Sequence, residues 1–276
     1  MSSTELESLL FQMRVRGFCV LENVIPADRC AVIRESVTAT VKRHRTADAP
    51  RHVGFTPSVI NHDASFAEYL GDETLLGLIG RLLGEHVRIS FTSAVINEPG
   101  NERGDWHADW PFNQHNAGHI PAPYPDVVMH ITTLWMLSPF EIENGGTLVV
   151  PGSHRCPTNP TANGENAGSA SDEIPDPYAQ VPGETHVTGS AGSVLVMDSR
   201  LWHATAPNHA DPPRVALAVR YAPWWLNLQV LRPGSDERKS LCDEAGKTDN
   251  IVPSIRREVF DSLPSNVKPL YRHWVE

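Results

Sequence analysis

The segment HVRISFTSAVINEP, residues 86–99, alternates between apolar and polar side chains and then leads into GDWHADW, residues 104–110. Successive side chains of a β-strand point to opposite faces of a sheet, so a period of two with β-branched residues predicts a strand. The same signals, with glycines as turns, predict further strands at about 128–137, 146–151, 193–198 and 214–222. The chain is therefore rich in strands on both sides of GDWHADW.

Helices are predicted on the N-terminal side of these strands. Apolar residues at helical spacing predict helices over 4–15 and 26–45, with the short strand GFCVLENV between them, and a third helix within 65–84. Many strands flanked by helices predict a mainly β fold, a double-stranded β-helix of the jelly-roll, cupin-like type. We expect one domain over 1–276, with the helical N-terminal part packed on the jelly-roll core and residues 157–185 as a surface loop poor in large apolar groups.

Three residues have the spacing of a metal site: His107 and Asp109 in GDWHADW, and His203 in MDSRLWHATAPN. Side chains two apart on an extended segment point the same way, and a distant strand can bring the second histidine to them. Two imidazoles and one carboxylate hold one face of an octahedral Fe(II) and leave three positions open for dioxygen chemistry. On its own the pattern is weak, because a chain with 13 histidines also produces it from ordinary core or surface histidines.

A hydroxyl and a cation follow the last histidine, at Thr205 and Arg214. A guanidinium binds a carboxylate through two hydrogen bonds and a neighbouring hydroxyl adds a third, which suits a dicarboxylate co-substrate whose other end chelates the metal. Strand alternation in RVALAVRYA predicts one face formed by Arg214, Ala216, Ala218 and Arg220. The small alanines leave room beside the arginine for a ligand, and the alternate apolar residues are expected to face the core.

Four pieces of the chain resemble one known family. They are GFCVLENVIP at 17–26, WHAD at 106–109, ENGGTLVVPGSHR at 143–155 and HATAPNHADPPR at 203–214, in this order. These pieces resemble the phytanoyl-CoA dioxygenase (PhyH) family of Fe(II)- and 2-oxoglutarate-dependent oxygenases. The family often has serine where Thr205 stands, a difference that keeps the hydroxyl.

The resemblance implies a reaction and a set of site residues. Its implied catalytic iron ligands are His107, Asp109 and His203, and its implied partners of the distal carboxylate of 2-oxoglutarate are Arg214 and Thr205. Dioxygen is the other co-substrate. The implied reaction releases succinate and carbon dioxide and hydroxylates, or otherwise oxidises, a small organic molecule.

The composition agrees with an enzyme that acts on a small molecule. A chain of 276 residues, 40% hydrophobic and 20% charged, can bury a full core. The net charge of -10 disfavours nucleic acid or an anionic membrane as the main partner, since both bind concentrated Lys and Arg. We therefore expect a small-molecule substrate and a monomer or homodimer.

Cysteine usage and the absence of signal-like or membrane-length apolar segments favour a reducing, cytoplasmic location. The four cysteines, which show no paired or metal-like spacing, are Cys19, Cys30, Cys156 and Cys242.

Other histidines and a second arginine lie near these motifs. We interpret His115, His119 and His130 as loop residues or as partners of the ligands, because the three protein ligands are already supplied. Arg220 shares a face with Arg214, but six residues of strand separate the two by about 20 Å. We interpret Arg220 as a salt-bridge or rim residue rather than a second clamp for the co-substrate.

Several aromatic and polar residues have two readings that the sequence leaves open. The aromatic residues that fit either a substrate pocket or the packing between barrel and helices are Trp110, Phe112, Trp224 and Trp225. Ser93 and Asn97, on the strand ahead of the metal motif, are candidates to hydrogen-bond the co-substrate near iron, although their spacing does not select them.

Two rival functions use the same fold. A Zn(II)-dependent jelly-roll hydrolase or isomerase can use the triad with water in an open position, but has no need for Thr205 and Arg214. A non-enzymatic jelly-roll binding protein does not need the triad. Metal analysis and 2-oxoglutarate-dependent oxygen uptake separate the three functions.

Overall fold

The computed structural model describes residues 1–46, 49–110, 123–160, 176–244 and 251–276. Its strands are β1 Phe18–Leu21, β2 Val53–Pro57, β3 Arg88–Asn97, β4 Ile131–Met136, β5 Leu148–Val149, β6 Thr185–His186, β7 Val194–Asp198, β8 His203–Ala204 and β9 Arg214–Ala222. Its α-helices are α1 Ser3–Arg16, α2 Ala27–His44, α3 Glu73–Leu83, α4 Asp236–Arg238, α5 Arg257–Ser262 and α6 Lys268–Tyr271. Short 3-10 or π turns lie at Val59–Asn61, Ala67–Gly71, Ser153–Arg155, Gln229–Leu231, Lys239–Asp243 and Arg272–Trp274.

The strands form two antiparallel sheets. Six strands make the larger sheet in the order β1-β7-β4-β9-β3-β2, and three short strands make the smaller one in the order β6-β5-β8. The strands predicted between 86 and 222 are all present; β9 has the predicted bounds and the others are shorter. The edge strand β2, the two-residue strands β6 and β8 and the helices after β9 were not predicted.

Strand β9 lies in the interior of the larger sheet and separates the apolar core from a cavity. Its register pairs Arg214 with Asn97 of β3, and Ala218 with both Ser93 of β3 and Leu134 of β4. One face, formed by Val215, Leu217, Val219 and Tyr221, belongs to the main hydrophobic core. The opposite face, formed by Arg214, Ala216, Ala218 and Arg220, lines the cavity. The two faces predicted from alternation are therefore confirmed.

The N-terminal helices cover the core side of the sheet. Helix α1 begins with a capping box between Ser2 and Glu5 and ends at Gly17, whose left-handed backbone turns the chain into β1. Helix α2 buries Ile33, Val37 and Val41 in the same core cluster as β9. These helices match the predictions for 4–15 and 26–45.

The predicted surface loop 157–185 is only partly described, since residues 161–175 lie outside the described residues. Its C-terminal part is attached to the segment that precedes the metal motif. Arg103 forms a two-pronged ion pair with Glu184 at 2.7 and 3.0 Å, and Trp106 donates to the carbonyl of Ala179 at 2.8 Å. Residues 176–185 are exposed or half-buried, so these contacts attach a surface segment to the residues that lead into His107.

The glycine pair of the ENGG motif lets a turn approach the site closely. Gly145 has φ +81, and a Cβ at this position would overlap the amide of Asn97 and lie 2.7 Å from the carbonyl oxygen of Ala206. Asn97 ends β3, and Ala206 follows the last metal-site histidine. The motif therefore joins this turn to both sides of the site.

We expect Gly145→Ala to destabilise the fold by about 2 kcal/mol or more, because it combines a left-handed backbone with a steric overlap. Gly77→Ala is the matched control, since Gly77 lies in α3 with no heavy atom near its missing Cβ. The control should stabilise the chain by roughly 0.5–1 kcal/mol through helix propensity. Urea denaturation midpoints measure both. Equal stability of Gly145→Ala and the wild type would contradict the close approach.

None of the four cysteines forms a disulfide. Among the described residues, no helix combines the length and the apolar character needed to cross a bilayer.

Candidate active site

Backbone hydrogen bonds bring the two distant histidines opposite each other. The amide of His107 donates to the carbonyl of His203 at 3.0 Å, and the amide of His203 donates to the carbonyl of His107 at 2.9 Å. Further backbone bonds on either side join Gly104 to Thr205 and Trp110 to Ser199, each at 2.9 Å. GDWHADW thus runs antiparallel to the segment that contains His203, although only His107 forms a β-bridge in it.

Both histidines have the same ring orientation relative to their own backbone. The Nδ1 of His107 lies 2.9 Å from the carbonyl oxygen of Asp105, and the Nδ1 of His203 lies 2.9 Å from that of Leu201. Because a carbonyl only accepts, Nδ1 carries the proton in each ring. Nε2 is therefore the ring nitrogen that each histidine has left to bind a metal.

Asp109 is the third member of the group. Its buried carboxylate accepts a hydrogen bond from Thr132 at 2.7 Å on one oxygen and from Arg220 at 2.5 Å on the other. Burial acts to raise the pKa of Asp109, but the charge of Arg220 beside it holds that pKa well below its usual range. The carboxylate is therefore ionised.

The three side chains have the donor set and spacing of a metal centre. One ligand atom from each of His107, Asp109 and His203 can be chosen so that all lie within 4.8 Å of one another. Burial, followed by the nearby His107, lowers the pKa of His203 to about 4, so its ring is neutral. Two imidazoles and a carboxylate on one side of an open cavity fit the facial coordination of Fe(II).

A chain of buried hydrogen bonds supports Asp109 from behind. Thr132 is 2.8 Å from Ser199, which is 2.8 Å from Nδ1 of His130, and Nε2 of His130 is 2.8 Å from Ser90. Asp109 only accepts, so each hydroxyl in turn donates towards it and His130 donates from Nδ1. His130 is thus a partner of the site and not a ligand, as the sequence indicated, and burial lowers its pKa to about 3.

We expect Thr132→Val to weaken iron binding by roughly 10–100-fold, because Asp109 loses the donor that orients it. Thr92→Val is the matched control, since Thr92 is a buried threonine of β3 whose hydroxyl bonds the hydroxyl of Tyr271, away from Asp109. Anaerobic Fe(II) titration measures both affinities. Equal iron affinities in the two variants would show that Thr132 does not orient the carboxylate.

Arg214 is a buried cation without a carboxylate partner among the described residues. Its side chain is 3% exposed, its guanidinium stacks over the Phe140 ring at 4.4 Å, and its Nε has no hydrogen-bond partner. Burial alone lowers the pKa of Arg214 to about 10. A buried, unpaired guanidinium is unfavourable unless an anionic ligand binds it.

Arg214 and the triad face one cavity of about 160 Å³. Its polar lining also includes Thr205, Thr147 and Ser93, and the Oγ of Ser93 is buried without a partner. The residues that make the wall apolar are Phe55, Phe91, Val95, Leu134, Ala204, Ala216 and Ala218. The structure therefore brings together all five residues predicted for the site.

Ser93 and Asn97, the two candidates to hydrogen-bond the co-substrate near iron, have different positions in the structure. Ser93 lines the cavity, whereas Asn97 does not, and its amide instead donates to the carbonyl of Ala206 at 3.0 Å. Asn97 therefore braces the segment after His203.

Arg220 differs most from the expectation drawn from sequence. It does form a salt bridge, but with Asp109 itself, and its side chain is only 14% exposed, so it is not a rim residue. The distance along β9 was a poor guide, because Asp109 lies on a separate segment that crosses near the far end of that strand. Thr132 was also missed, since its role depends on the pairing of β4 with β9.

The aromatic candidates have different positions. Trp110 packs in a buried apolar cluster, while Trp224 and Trp225 are 56% and 53% exposed and do not line the cavity. The pocket and packing readings are therefore both wrong for the two exposed tryptophans. His115, His119 and Phe112 lie outside the described residues.

Two histidines, an aspartate and a buried unpaired arginine around one cavity of an antiparallel jelly-roll fold are typical of Fe(II)- and 2-oxoglutarate-dependent oxygenases. The sequence matches the phytanoyl-CoA dioxygenase (PhyH) family over residues 13–216. The chain belongs to this family.

Comparisons with individual proteins agree. The chain is 32% identical to dioxygenase af480 of Aspergillus fumigatus over 161 residues, which are 58% of this chain and 45% of that protein. It is 29% identical to the ectoine dioxygenase of Nocardia farcinica over 223 residues, 72% of this chain and 71% of that protein. The fold is similar to that of the epimerase SnoN, solved with Fe3+, alpha ketoglutarate and nogalamycin RO (TM-score 0.62, 18% identity, covering 80% of this chain and 85% of SnoN).

These findings confirm the predicted family, the jelly-roll fold and the class of Fe(II)- and 2-oxoglutarate-dependent dioxygenase. They give no support to the zinc enzyme or to the non-enzymatic binding protein. The roles of individual residues stay predictions.

Proposed function

We propose that this chain oxidises a small organic molecule, by hydroxylation or a related reaction, with His107, Asp109 and His203 as its iron ligands and Arg214 with Thr205 as its 2-oxoglutarate clamp. In such a site, bound iron and 2-oxoglutarate supply the activation of dioxygen, with release of succinate and carbon dioxide.

The observation that carries the proposal is the unpaired Arg214 in the same cavity as the triad. A zinc hydrolase needs an open metal position but no buried cation opposite it. A dicarboxylate that chelates a metal at one end leaves a carboxylate at the other, and a guanidinium with a nearby hydroxyl is suited to bind it. Thr205 lines the same cavity.

The chain's own residues have three tasks in this proposal. The carbonyls of Asp105 and Leu201 fix the tautomers of His107 and His203, so that both Nε2 atoms are available. Thr132 and Arg220 hold the two oxygens of Asp109. The apolar wall keeps water away from the reacting groups and holds the substrate in one orientation.

The substrate is proposed to be of metabolite size. One relative is named for its action on ectoine, a small molecule, which supports this size class. A cytoplasmic location, a monomeric or homodimeric state, a single domain over 1–276, and the absence of nucleic-acid and membrane partners stay predictions from the sequence.

Metal analysis and gas uptake test this function directly. The chain is loaded with Fe(II) or Zn(II) under anaerobic conditions and mixed with 2-oxoglutarate and air. Oxygen uptake and succinate release with iron alone are expected, and a metabolite library then identifies the compounds that accelerate them. Turnover that depends on zinc and ignores 2-oxoglutarate would favour the hydrolase or isomerase instead.

A further inference from the structure

The charges in the cavity do not sum to zero when iron and 2-oxoglutarate are bound. Among the described residues that line it, the ionised side chains are Asp109, Arg214 and Arg220, and His107 and His203 bind a metal as neutral rings. Fe(II) brings two positive charges and 2-oxoglutarate two negative charges, so these cancel. The lining itself then retains one carboxylate and two guanidinium groups, a surplus of one positive charge.

We propose that the primary substrate carries a carboxylate and that Arg220 binds it. This inference rests on the proposed function, because the charge sum assumes iron and 2-oxoglutarate in the cavity. Partly buried surplus charge is unfavourable without a counter-ion, and a substrate anion supplies one. Arg214 is already assigned to the co-substrate, which leaves Arg220.

The contacts of Arg220 leave it capable of binding a second carboxylate. Only its Nη2 bonds Asp109, while its Nε is buried without a hydrogen-bond partner. One face of its guanidinium stacks over the Phe91 ring at 4.5 Å, which fixes the plane of the fork. A planar fork with free N–H groups matches a carboxylate better than a neutral amide.

Metal binding weakens the attraction between Asp109 and Arg220, so the guanidinium can bind a substrate carboxylate more easily. In the metal-free chain Arg220 neutralises Asp109, but an Asp109 carboxylate that shares its charge with a divalent cation attracts the guanidinium less. Arg220 also lies beyond residue 216, where the family match ends. The family match therefore does not assign a role to Arg220.

Propionate and propionamide are suitable probes, because they have nearly the same shape and differ in charge. Each is titrated into the anaerobic Fe(II)·2-oxoglutarate enzyme, and the metal-to-ligand charge-transfer band is followed. We expect propionate to shift the band at concentrations where propionamide has no effect. The Arg220→Gln variant should bind propionate at least roughly tenfold more weakly.

Arg257→Gln is the matched control, since Arg257 also stacks on an aromatic ring, Phe260, but lies on the exposed helix α5. It should respond to propionate as the wild type does. If Arg220→Gln does not fold, Arg220→Lys replaces it and should recover only part of the affinity.

The outcomes separate this inference from the proposed function. If no charge-transfer band forms when 2-oxoglutarate is added, the proposed function fails. If the band forms but responds equally to both probes, or to neither, only the assignment of an anionic substrate is overturned. A band that disappears with propionate and returns with excess 2-oxoglutarate reports competition at Arg214, and also overturns it.

Discussion

Each of His107→Ala, Asp109→Ala and His203→Ala is expected to abolish turnover and to reduce iron binding to a small fraction of the wild-type stoichiometry. The three side chains supply every protein ligand in the proposed centre, and two remaining ligands cannot hold the ion in its facial geometry. The loss should be similar in all three variants, because the ligands act as one unit.

The variants should nevertheless differ in stability. Asp109→Ala leaves Arg220, 14% exposed, without its carboxylate, and loss of one partner from a buried ion pair costs roughly 3–5 kcal/mol in the limit of full burial. His107→Ala removes no charged partner. Asp109→Ala should therefore unfold at a lower urea concentration than His107→Ala, while both remain folded without denaturant.

Iron stoichiometry, succinate formation and urea midpoints measure these effects. His186→Ala is a useful control, since His186 lies in β6 and its ring bonds the carbonyl of Gly146 outside the cavity lining. Wild-type turnover in any of the three site variants would remove that residue from the centre.

The sequence predicted the strand faces well because alternation is a local property. In RVALAVRYA the even-numbered residues from Arg214 to Arg220 line the cavity and the residues between them enter the core, as a period of two requires. The triad was predictable for a related reason, since two of its members lie on one short segment and the third lies in a motif that also contains Thr205.

Contacts between distant segments of the chain could not be predicted from the sequence. The bond between Arg220 and Asp109 depends on where GDWHADW crosses β9, and the bonds from Thr132 to His130 depend on the pairing of β4 with β7 and β9. Spacing along one strand gives no information about either. Arg220 was therefore interpreted only as a salt-bridge or rim residue, and its partner Asp109 was not predicted.

Arg214→Ala is expected to weaken 2-oxoglutarate binding by roughly 30-fold or more, with iron binding almost unchanged. A buried charge pair is worth roughly 2–5 kcal/mol when one partner is truncated, and ~1.4 kcal/mol corresponds to a factor of ten. Arg214 donates nothing to the metal. Arg214→Lys should recover only part of the affinity, because a point charge replaces a two-pronged fork.

Removing the charge of Arg214 should not destabilise the fold of the protein without 2-oxoglutarate. Arg214 is 3% exposed and its Nε has no partner, so in the absence of 2-oxoglutarate the guanidinium is a buried charge without an anion. Arg214→Met keeps much of the side-chain volume and removes that charge. We expect this variant to be at least as stable as the wild type without ligand, and to gain less thermal stability than the wild type when 2-oxoglutarate is added.

Two measurements on each variant test the clamp. The charge-transfer absorbance of the anaerobic Fe(II) enzyme gives the 2-oxoglutarate dissociation constant, and thermal unfolding with and without the co-substrate gives the linked stabilisation. Arg257→Ala controls for loss of a surface arginine that stacks on an aromatic ring. An unchanged dissociation constant in Arg214→Ala would transfer the clamp to Arg220, the other guanidinium of the cavity. Arg214 would then be the guanidinium left to bind the substrate carboxylate. The two arginines would exchange roles, and the sum of charges in the cavity would stay the same.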